Sequence, residues 1–358
     1  MACSTLVFQP TRGVLAFYRR LLLAASVVGF GLLTGCQSLQ RGGANIALGV
    51  VERNVVPPVL GVSDLNMGCT HAMAMVPLIG SFRSFYGDPS GLESILSTSA
   101  SLCADNDANT EELRYLRALR DRRTADAQDA RTSHKRLLER SARRQLAAYV
   151  QMRQSLEKKY RFQYGETCPK FRRKNSDFDQ LIYLLGSISG LQAMVNDVAA
   201  EKAVNVPTDI PLKAEFAMGC LDNAKWWGTP QAIRATVWSV VPGASEGKDV
   251  AGTFNQAMAL GEQQGVRLPH VLAAISAGFT DDKQRIREVV KRFASAPGYA
   301  PNKNYRYIDE AAGATIQQMS DRDWTIGTGS RTPVGRLGTF WDEKKVAKDT
   351  IDASEFLK

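Results

Sequence analysis

Hydrophobic residues recur with the period of an α-helix along most of this chain. The clearest example is residues 177–199, where apolar positions follow the i, i+3, i+4, i+7 spacing of an amphipathic helix. The same pattern predicts helices over residues 64–85, 92–103, 229–240, 250–264, 268–279 and 282–293. The alternation of apolar and polar residues that is typical of β-strands is nearly absent. The pattern therefore predicts an all-α fold.

Residues at the starts of the predicted helices favour these boundaries. Ser176 and Asp179 have the spacing of a capping box at the start of the helix over residues 177–199. Thr229 is expected to cap another helix, with Pro230 in its first turn. Small residues at 186–190 predict that a second helix approaches closely at that point.

Basic residues are concentrated in one segment. Residues 111–174 contain 19 Lys and Arg against 8 Asp and Glu, a net charge of +11, whereas the whole chain carries +9. Residues 110–160 have a helical pattern and would span about 75 Å as a single helix. We expect a break near Thr132–Ser133 that divides this segment into two helices.

The function of these arginines has two interpretations. In the first they form a solvated face with i,i+4 ion pairs, and the acidic partners are Asp121, Asp126, Asp129 and Glu139. In the second they form an electropositive surface for an acidic protein, phospholipid headgroups or lipopolysaccharide phosphates. The arginines of that surface are Arg136, Arg140, Arg143 and Arg144.

The C-terminal part of the chain has no sustained period. Glycine and proline interrupt it repeatedly from Ala294 onward. We therefore predict an irregular extension over residues 297–358 that wraps around the helical body and has a frayed end. Trp324, Phe340 and Trp341 indicate that parts of this extension pack against the body.

The N-terminus has the features of a secretory signal. Arg19 and Arg20 precede an apolar run over residues 21–33. This run is too short to span a bilayer, which requires about 20 apolar residues. It ends in Leu-Thr-Gly-Cys at 33–36, which resembles the lipobox read by lipoprotein signal peptidase. We expect cleavage before Cys36 and acylation of that residue; the alternative is a plain secretory signal with an incidental cysteine.

These features predict a domain organisation and a location. The chain is divided into a signal peptide (1–35), a lipid-anchored tether (36–60), a helical domain (61–296) and the irregular extension (297–358). Gln37–Ser38 lacks the acidic residue that retains similar lipoproteins in the inner membrane. We expect the lipid to anchor the protein to the outer membrane, with the body facing the periplasm.

Four further cysteines indicate disulfides, because an even number in an oxidising compartment favours pairing. Cys69 lies 17 residues before Tyr86 and Cys103 lies 17 residues after it, so a helical hairpin that turns at Tyr86 brings them together. Cys168 and Cys220 then form the second pair. The alternative is that one or both pairs are buried free thiols.

The sequence contains no HExxH, no phosphate-binding GxxxxGK[ST] and no GxGxxG motif. His71, His134 and His270 are isolated from one another, without the spacing of metal ligands. The acidic pair Asp281–Asp282 is typical of a helix N-terminus. We therefore predict neither an enzyme nor a cofactor, and the predicted compartment argues against nucleic acid as a partner.

The order of features from residue 177 to residue 293 resembles the T-component lipoproteins associated with TRAP transporters. The matching segments are the small-residue helix 181–197, the double tryptophan segment 221–227, Val241–Gly243, Phe254–Met258 and 271–282. Members of that family are periplasmic all-helical proteins built from tetratricopeptide-like helix pairs. The resemblance implies stacked antiparallel helix pairs here, and it implies an adaptor or ligand conduit that works with a periplasmic solute-binding protein.

Stacked helix pairs leave a concave face for binding. We expect Trp226, Trp227 and Trp238 nearest that face, where they could contact a hydrophobic ligand or the partner, and the alternative is that they pack in the core. The competing function is a structural envelope lipoprotein that binds anionic lipid, lipopolysaccharide or peptidoglycan through its arginines. A homo-oligomer is compatible with either function.

Overall fold

The computed structural model describes residues 37–171 and 176–343, and within these ranges the regular structure is entirely helical. The predicted all-α fold is confirmed. The predicted signal peptide 1–35 and the predicted lipidation site Cys36 lie outside the described residues.

The first helices form a layer at the N-terminal end of the body. Residues 37–54 form helix α1, and Val56–Leu60, Leu65–Gly80 and Ser90–Arg120 form α2, α3 and α4. A short 3₁₀ helix and a turn with a left-handed residue at Tyr86 join α3 to α4. The predicted hairpin is therefore confirmed.

The described part of the predicted tether 36–60 is almost entirely helical. Ala44 and Leu48 are buried, and together with Val51 they recur at helical spacing along one face of α1. Burial of this face against the body stabilises a helix that Gly42 and Gly43 would otherwise disfavour.

The arginine-rich segment is divided at a different place from the one expected. Helix α4 ends at Arg120, and α5 spans Thr124–Tyr160 without a break at Thr132–Ser133. The chain reverses at Arg122, whose φ is +60°. The hydroxyl of Thr132 donates to Gln128 O in its own helix (2.9 Å), so this residue is accommodated in the helix instead of ending it.

Helix α6, Asp177–Ala199, is the central helix of the fold and has the predicted bounds. Its small residues admit α5 closely, since a Cβ at Gly186 would lie 2.6 Å from Met152 Cβ. The capping box was wrong: Ser176 makes no side-chain cap. In place of a cap, Asp179 accepts from Lys159 and Tyr160 of α5.

Among the described helices α6 is long and apolar enough to cross a membrane, but most of it is buried within the body, as in a core helix.

Helix α7 (Ile210–Met218) was not predicted from the sequence. The next four helices begin and end within one residue of the predicted bounds; they are α8 (Thr229–Val240), α9 (Val250–Gln264), α10 (Leu268–Phe279) and α11 (Lys283–Ala294). Gly228, not Thr229, is the N-cap of α8. Asp282 caps α11 by accepting from Arg285 N (2.9 Å), which confirms its predicted place at a helix start.

The predicted irregular extension contains a helix that sequence reasoning missed. Helix α12 spans Arg306–Thr328 and packs against α2, α3 and α4 as well as α10 and α11. Its buried positions mix large apolar residues such as Ile308 and Ile316 with small and polar ones such as Asp309, Ala312 and Ser320. The helix therefore lacks the continuous apolar stripe that would indicate it from the sequence. Residues 297–305 and 329–343, on either side of α12, are irregular, and in the second stretch Phe340 is buried as expected.

Both predicted disulfides are present. Cys69 of α3 is bonded to Cys103 of α4, with the Cα atoms 5.7 Å apart. Cys168, in the loop after α5, is bonded to Cys220, just after α7, with the Cα atoms 5.5 Å apart. Helices adjacent in sequence pack together throughout, as stacked pairs do, while α12 returns to the first helices and closes the array.

Candidate functional site

An apolar cavity of about 110 Å³ lies where α12 meets the N-terminal helices. The ends of α1 and α2 cover one side of it, and α3, α4, α6, α10 and α12 form the remaining wall. Most of its lining is aliphatic, including Val51, Val56, Leu60, Met75, Leu96 and Ile308. None of these residues was singled out from the sequence.

The cover of the cavity is the five-residue helix α2. Val56 and Leu60 lie on the inner side of this helix and are buried, while Pro57 and Pro58 lie on its outer side and are exposed. An unstructured link over residues 62–64 joins α2 to α3. The cover is therefore a short segment attached to the body mainly by its own apolar side chains.

Tyr307 fixes the α12 side of the cavity. Its hydroxyl and Ser99 Oγ of α4 are hydrogen bonded (2.7 Å), and burial raises the pKa of this phenol. The ring packs directly on Gly68 of α3, where a Cβ would overlap it. Gly68 therefore serves close packing here, and no local sequence signal relates it to Tyr307.

Two of the polar side chains that line the cavity have no partner among the described residues, unlike Thr98 and Thr315, whose hydroxyls donate to the backbone. His71 of α3 and Gln192 of α6 are half-buried and line the cavity. Neither makes a hydrogen bond or ion pair with another residue in the described ranges. Unpaired donors and acceptors beside an apolar volume are suited to the polar end of an amphipathic ligand.

The other two histidines have structural partners. His134 Nδ1 is hydrogen bonded to Ala108 O (2.8 Å). His270 is completely buried and its Nε2 lies 2.9 Å from Glu262 Oε1. Burial lowers the pKa of His270 to about 4, although Glu262 favours the charged form. His270 is therefore neutral near neutral pH, and it donates to Glu262 from Nε2.

A second cavity, of about 520 Å³, opens at the surface beside Glu262 and Arg292. Its acidic and basic groups already neutralise each other, because Arg292 Nε donates to Glu262 Oε1 (2.7 Å). No group of His, Cys, Asp and Glu residues in the described ranges could hold a metal ion. The apolar cavity is the better candidate for a binding site.

The three tryptophans do not line the apolar cavity. Trp226, Trp227 and Trp238 are all buried in the core. The indole of Trp226 donates to Gln180 Oε1 (3.1 Å), and that of Trp238 donates to Glu215 Oε1 (2.9 Å). Their predicted position on a ligand or partner face is wrong, and the core-packing alternative is correct, because the helix pairs bury this face among α6 to α10.

The arginine-rich surface is only partly available to a partner. Arg143 pairs with Glu139 in its own helix (2.7 Å). Arg144 is half-buried and donates to Ala100 O of α4 (2.6 Å), so its predicted place on an open surface is wrong. Arg136 and Arg140 are exposed and have no ion pair with the described residues.

Other arginines of this segment stabilise the fold. Arg114 bridges α4 to Asp126 and Asp129 of α5 (2.5 and 2.8 Å). These are pairs between helices, whereas the predicted i,i+4 spacing is found for Glu139 and Arg143. Arg117 Nε donates to Gly329 O (3.0 Å) and Arg120 Nη1 donates to Gly327 O (2.6 Å) at the end of α12. The positive charge of α4 thus lies at the negative end of the α12 dipole.

The comparisons with known proteins found nothing similar: no protein-family model, curated protein or solved structure matches this chain.

Proposed function

We propose that this protein is a lipid-anchored envelope protein that holds a small amphipathic ligand, apolar end first, in the cavity beneath α2. The observation that carries this proposal is the aliphatic cavity between the N-terminal helices and α12. The lipobox-like segment at 33–36 supports the anchor, and the two disulfides fit an oxidising compartment such as the periplasm.

The size and lining of the cavity limit the ligand. Engineered apolar cavities of about 150 Å³ admit benzene and stay dry when empty, so the present cavity of about 110 Å³ suits a short alkyl segment. His71 and Gln192 offer hydrogen bonds to a polar end group. A short fatty acid, or the end of one acyl chain, has the required chemistry.

The biological role that we propose is that of a ligand conduit at the periplasmic face of the outer membrane. In this role the protein exchanges its ligand with a periplasmic solute-binding protein and so acts as an adaptor in transport. The alternative of an envelope protein that binds anions through arginines has less support, because Arg143 and Arg144 already have partners within the protein.

Native mass spectrometry of the full chain, with fatty acids from butanoate to decanoate, tests the binding. We expect one bound molecule, with affinity that rises with chain length until the cavity is filled. Ala312 lines the cavity, so Ala312→Leu should abolish binding without loss of stability, because the added atoms occupy existing space. The matched control is Ala232→Leu in the close-packed core, which should lower the free energy of unfolding by about 1–3 kcal/mol. Unchanged binding by Ala312→Leu would contradict the proposal.

A further inference from the structure

Helix α1 has two apolar faces on opposite sides. The inner face includes Ala44 and Leu48, which are buried against the body. The outer face consists of Leu39, Ile46 and Val50, whose exposed fractions are 81%, 69% and 46%. At 100° per residue, positions 39, 46 and 50 fall on one stripe, roughly opposite the buried one.

A second apolar stripe is unusual for a helix whose first stripe already covers the core. Polar residues normally occupy the outward side of a surface helix. Contiguous exposed apolar surface typically marks a site of association with a protein or a membrane. The outer stripe of α1 is therefore surface that the described fold leaves uncovered.

Two exposed aromatic residues adjoin the beginning of α1. Phe85 and Tyr86 form the corner between α3 and α4 and are about half exposed. Gln37 Nε2 donates to the Tyr86 hydroxyl (3.2 Å), and a Cβ at Gly87 would lie 3.0 Å from Ala44 Cβ. Tyrosine and other aromatic side chains are enriched at membrane–water interfaces, where an apolar ring and a polar group are both accommodated.

The charges on α1 complement an anionic lipid surface. Arg41 and Arg53 are exposed and form no ion pair with the described residues. The acidic residue between them, Glu52, is half-buried, and burial raises its pKa. Basic side chains beside an apolar stripe are typical of helices that lie in the plane of an anionic membrane.

We infer that the outer face of α1, together with Phe85 and Tyr86, lies on the lipid bilayer. This inference rests on the proposed lipid anchor, because Cys36 immediately precedes the first described residue of α1. At a rise of 1.5 Å per residue, the outer stripe extends about 17 Å along α1, from Leu39 to Val50. Acyl chains on Cys36 hold the start of this helix at the bilayer, which makes lipid its nearest apolar partner.

The docked position has a consequence for the cavity. Val51, at the end of α1, lines the cavity, and α2 follows directly as its cover. Because α2 follows α1 after a single residue, contact of α1 with the bilayer places the cover of the cavity near the membrane surface.

Depth-dependent fluorescence quenching tests this surface in the full chain. The protein is purified from membranes in detergent and reconstituted into vesicles of phosphatidylethanolamine and phosphatidylglycerol with brominated acyl chains. Ile46→Trp adds a reporter on the outer stripe, and Leu212→Trp on α7 is the control, since Leu212 is 60% exposed. We expect quenching of the added indole to be about twofold or more stronger at position 46, because interfacial helices bury their apolar face below the headgroups.

The outcomes separate the docking surface from the anchor. Co-flotation with the vesicles but equal quenching at 46 and 212 would overturn the docking and leave the anchor intact. Failure of the wild-type chain to float would overturn the anchor and, with it, the docking. Adding Leu39→Gln and Val50→Thr to the Ile46→Trp chain should reduce quenching to the control level, with near-ultraviolet circular dichroism unchanged. Quenching that survives these substitutions would also overturn the docking.

Discussion

Gly68 and Tyr307 show how single residues shape the cavity wall. The absence of a side chain at Gly68 lets the ring of Tyr307 pack against α3, and Ser99 satisfies the buried hydroxyl. The three residues belong to different helices, and their relation depends on the packing of α12 onto α3 and α4. His71 differs from the other two histidines at this scale, because it lines the cavity and they do not.

The buried His270 predicts a specific loss of stability in acid. Its pKa is lowered to about 4 in the folded protein, whereas an unfolded histidine has a pKa of about 6.5. As the pH falls below the unfolded value, the unfolded chain binds a proton that the folded protein does not. The stability that depends on neutral His270 is therefore fully present above the unfolded pKa of about 6.5. It is lost progressively as the pH falls towards the folded pKa of about 4.

His270→Gln tests this prediction, because a glutamine amide can still donate to Glu262. Between about pH 7 and about pH 5 the wild-type chain should lose about 2 kcal/mol more of its free energy of unfolding than the variant. Urea unfolding with the disulfides intact measures the difference. Equal losses in both proteins would show that His270 is not held neutral by burial.

At the scale of elements, the end of α12 depends on two arginines of α4. Arg117 and Arg120 donate to Gly329 O and Gly327 O, which the helix itself leaves without donors. Arg117→Gln/Arg120→Gln should lower the free energy of unfolding by about 1–2 kcal/mol, since charged hydrogen bonds and a favourable helix dipole are lost together.

A matched control for this prediction is Arg136→Gln/Arg140→Gln on α5. These arginines are exposed and make no ion pair with the described residues, so stability should change by less than about 0.5 kcal/mol. Hydrogen exchange of the last turn of α12 provides a local measurement. Equal effects of the two double variants would argue against a capping role for Arg117 and Arg120.

At the scale of the whole molecule, the Cys69–Cys103 disulfide holds α3 and α4 together beside the cavity. The bond links residues 34 positions apart, and the chain-entropy model gives a stabilisation of about 3–4 kcal/mol for a loop of this size. The Cys69→Ser/Cys103→Ser variant should have a free energy of unfolding lower by this amount, as measured by urea unfolding. A loss well below that would indicate residual structure in the unfolded chain.

The helices with a strong period were predictable almost to the residue. The 177–199 and 250–264 helices each combine apolar residues at helical spacing with a clear end signal, such as Gly265 after the latter. The division between α4 and α5 was not predictable in the same way, because residues 121–123 include neither glycine nor proline. Packing of the two long helices determines where the chain turns.

The sequence by itself determined the all-α class and the bounds of α6 and of α8 to α11, because these depend on local periodicity. It also determined the Cys69–Cys103 pair through the hairpin spacing about Tyr86, which left Cys168 to pair with Cys220. The tertiary structure decided which residues line the cavity, since they come from segments as distant as Val51 and Thr315. It also decided that α12 is helical and central. The buried Asp309 of α12 is favourable only because Arg267 pairs with it (2.8 Å), and that partner is known only once the helices are packed.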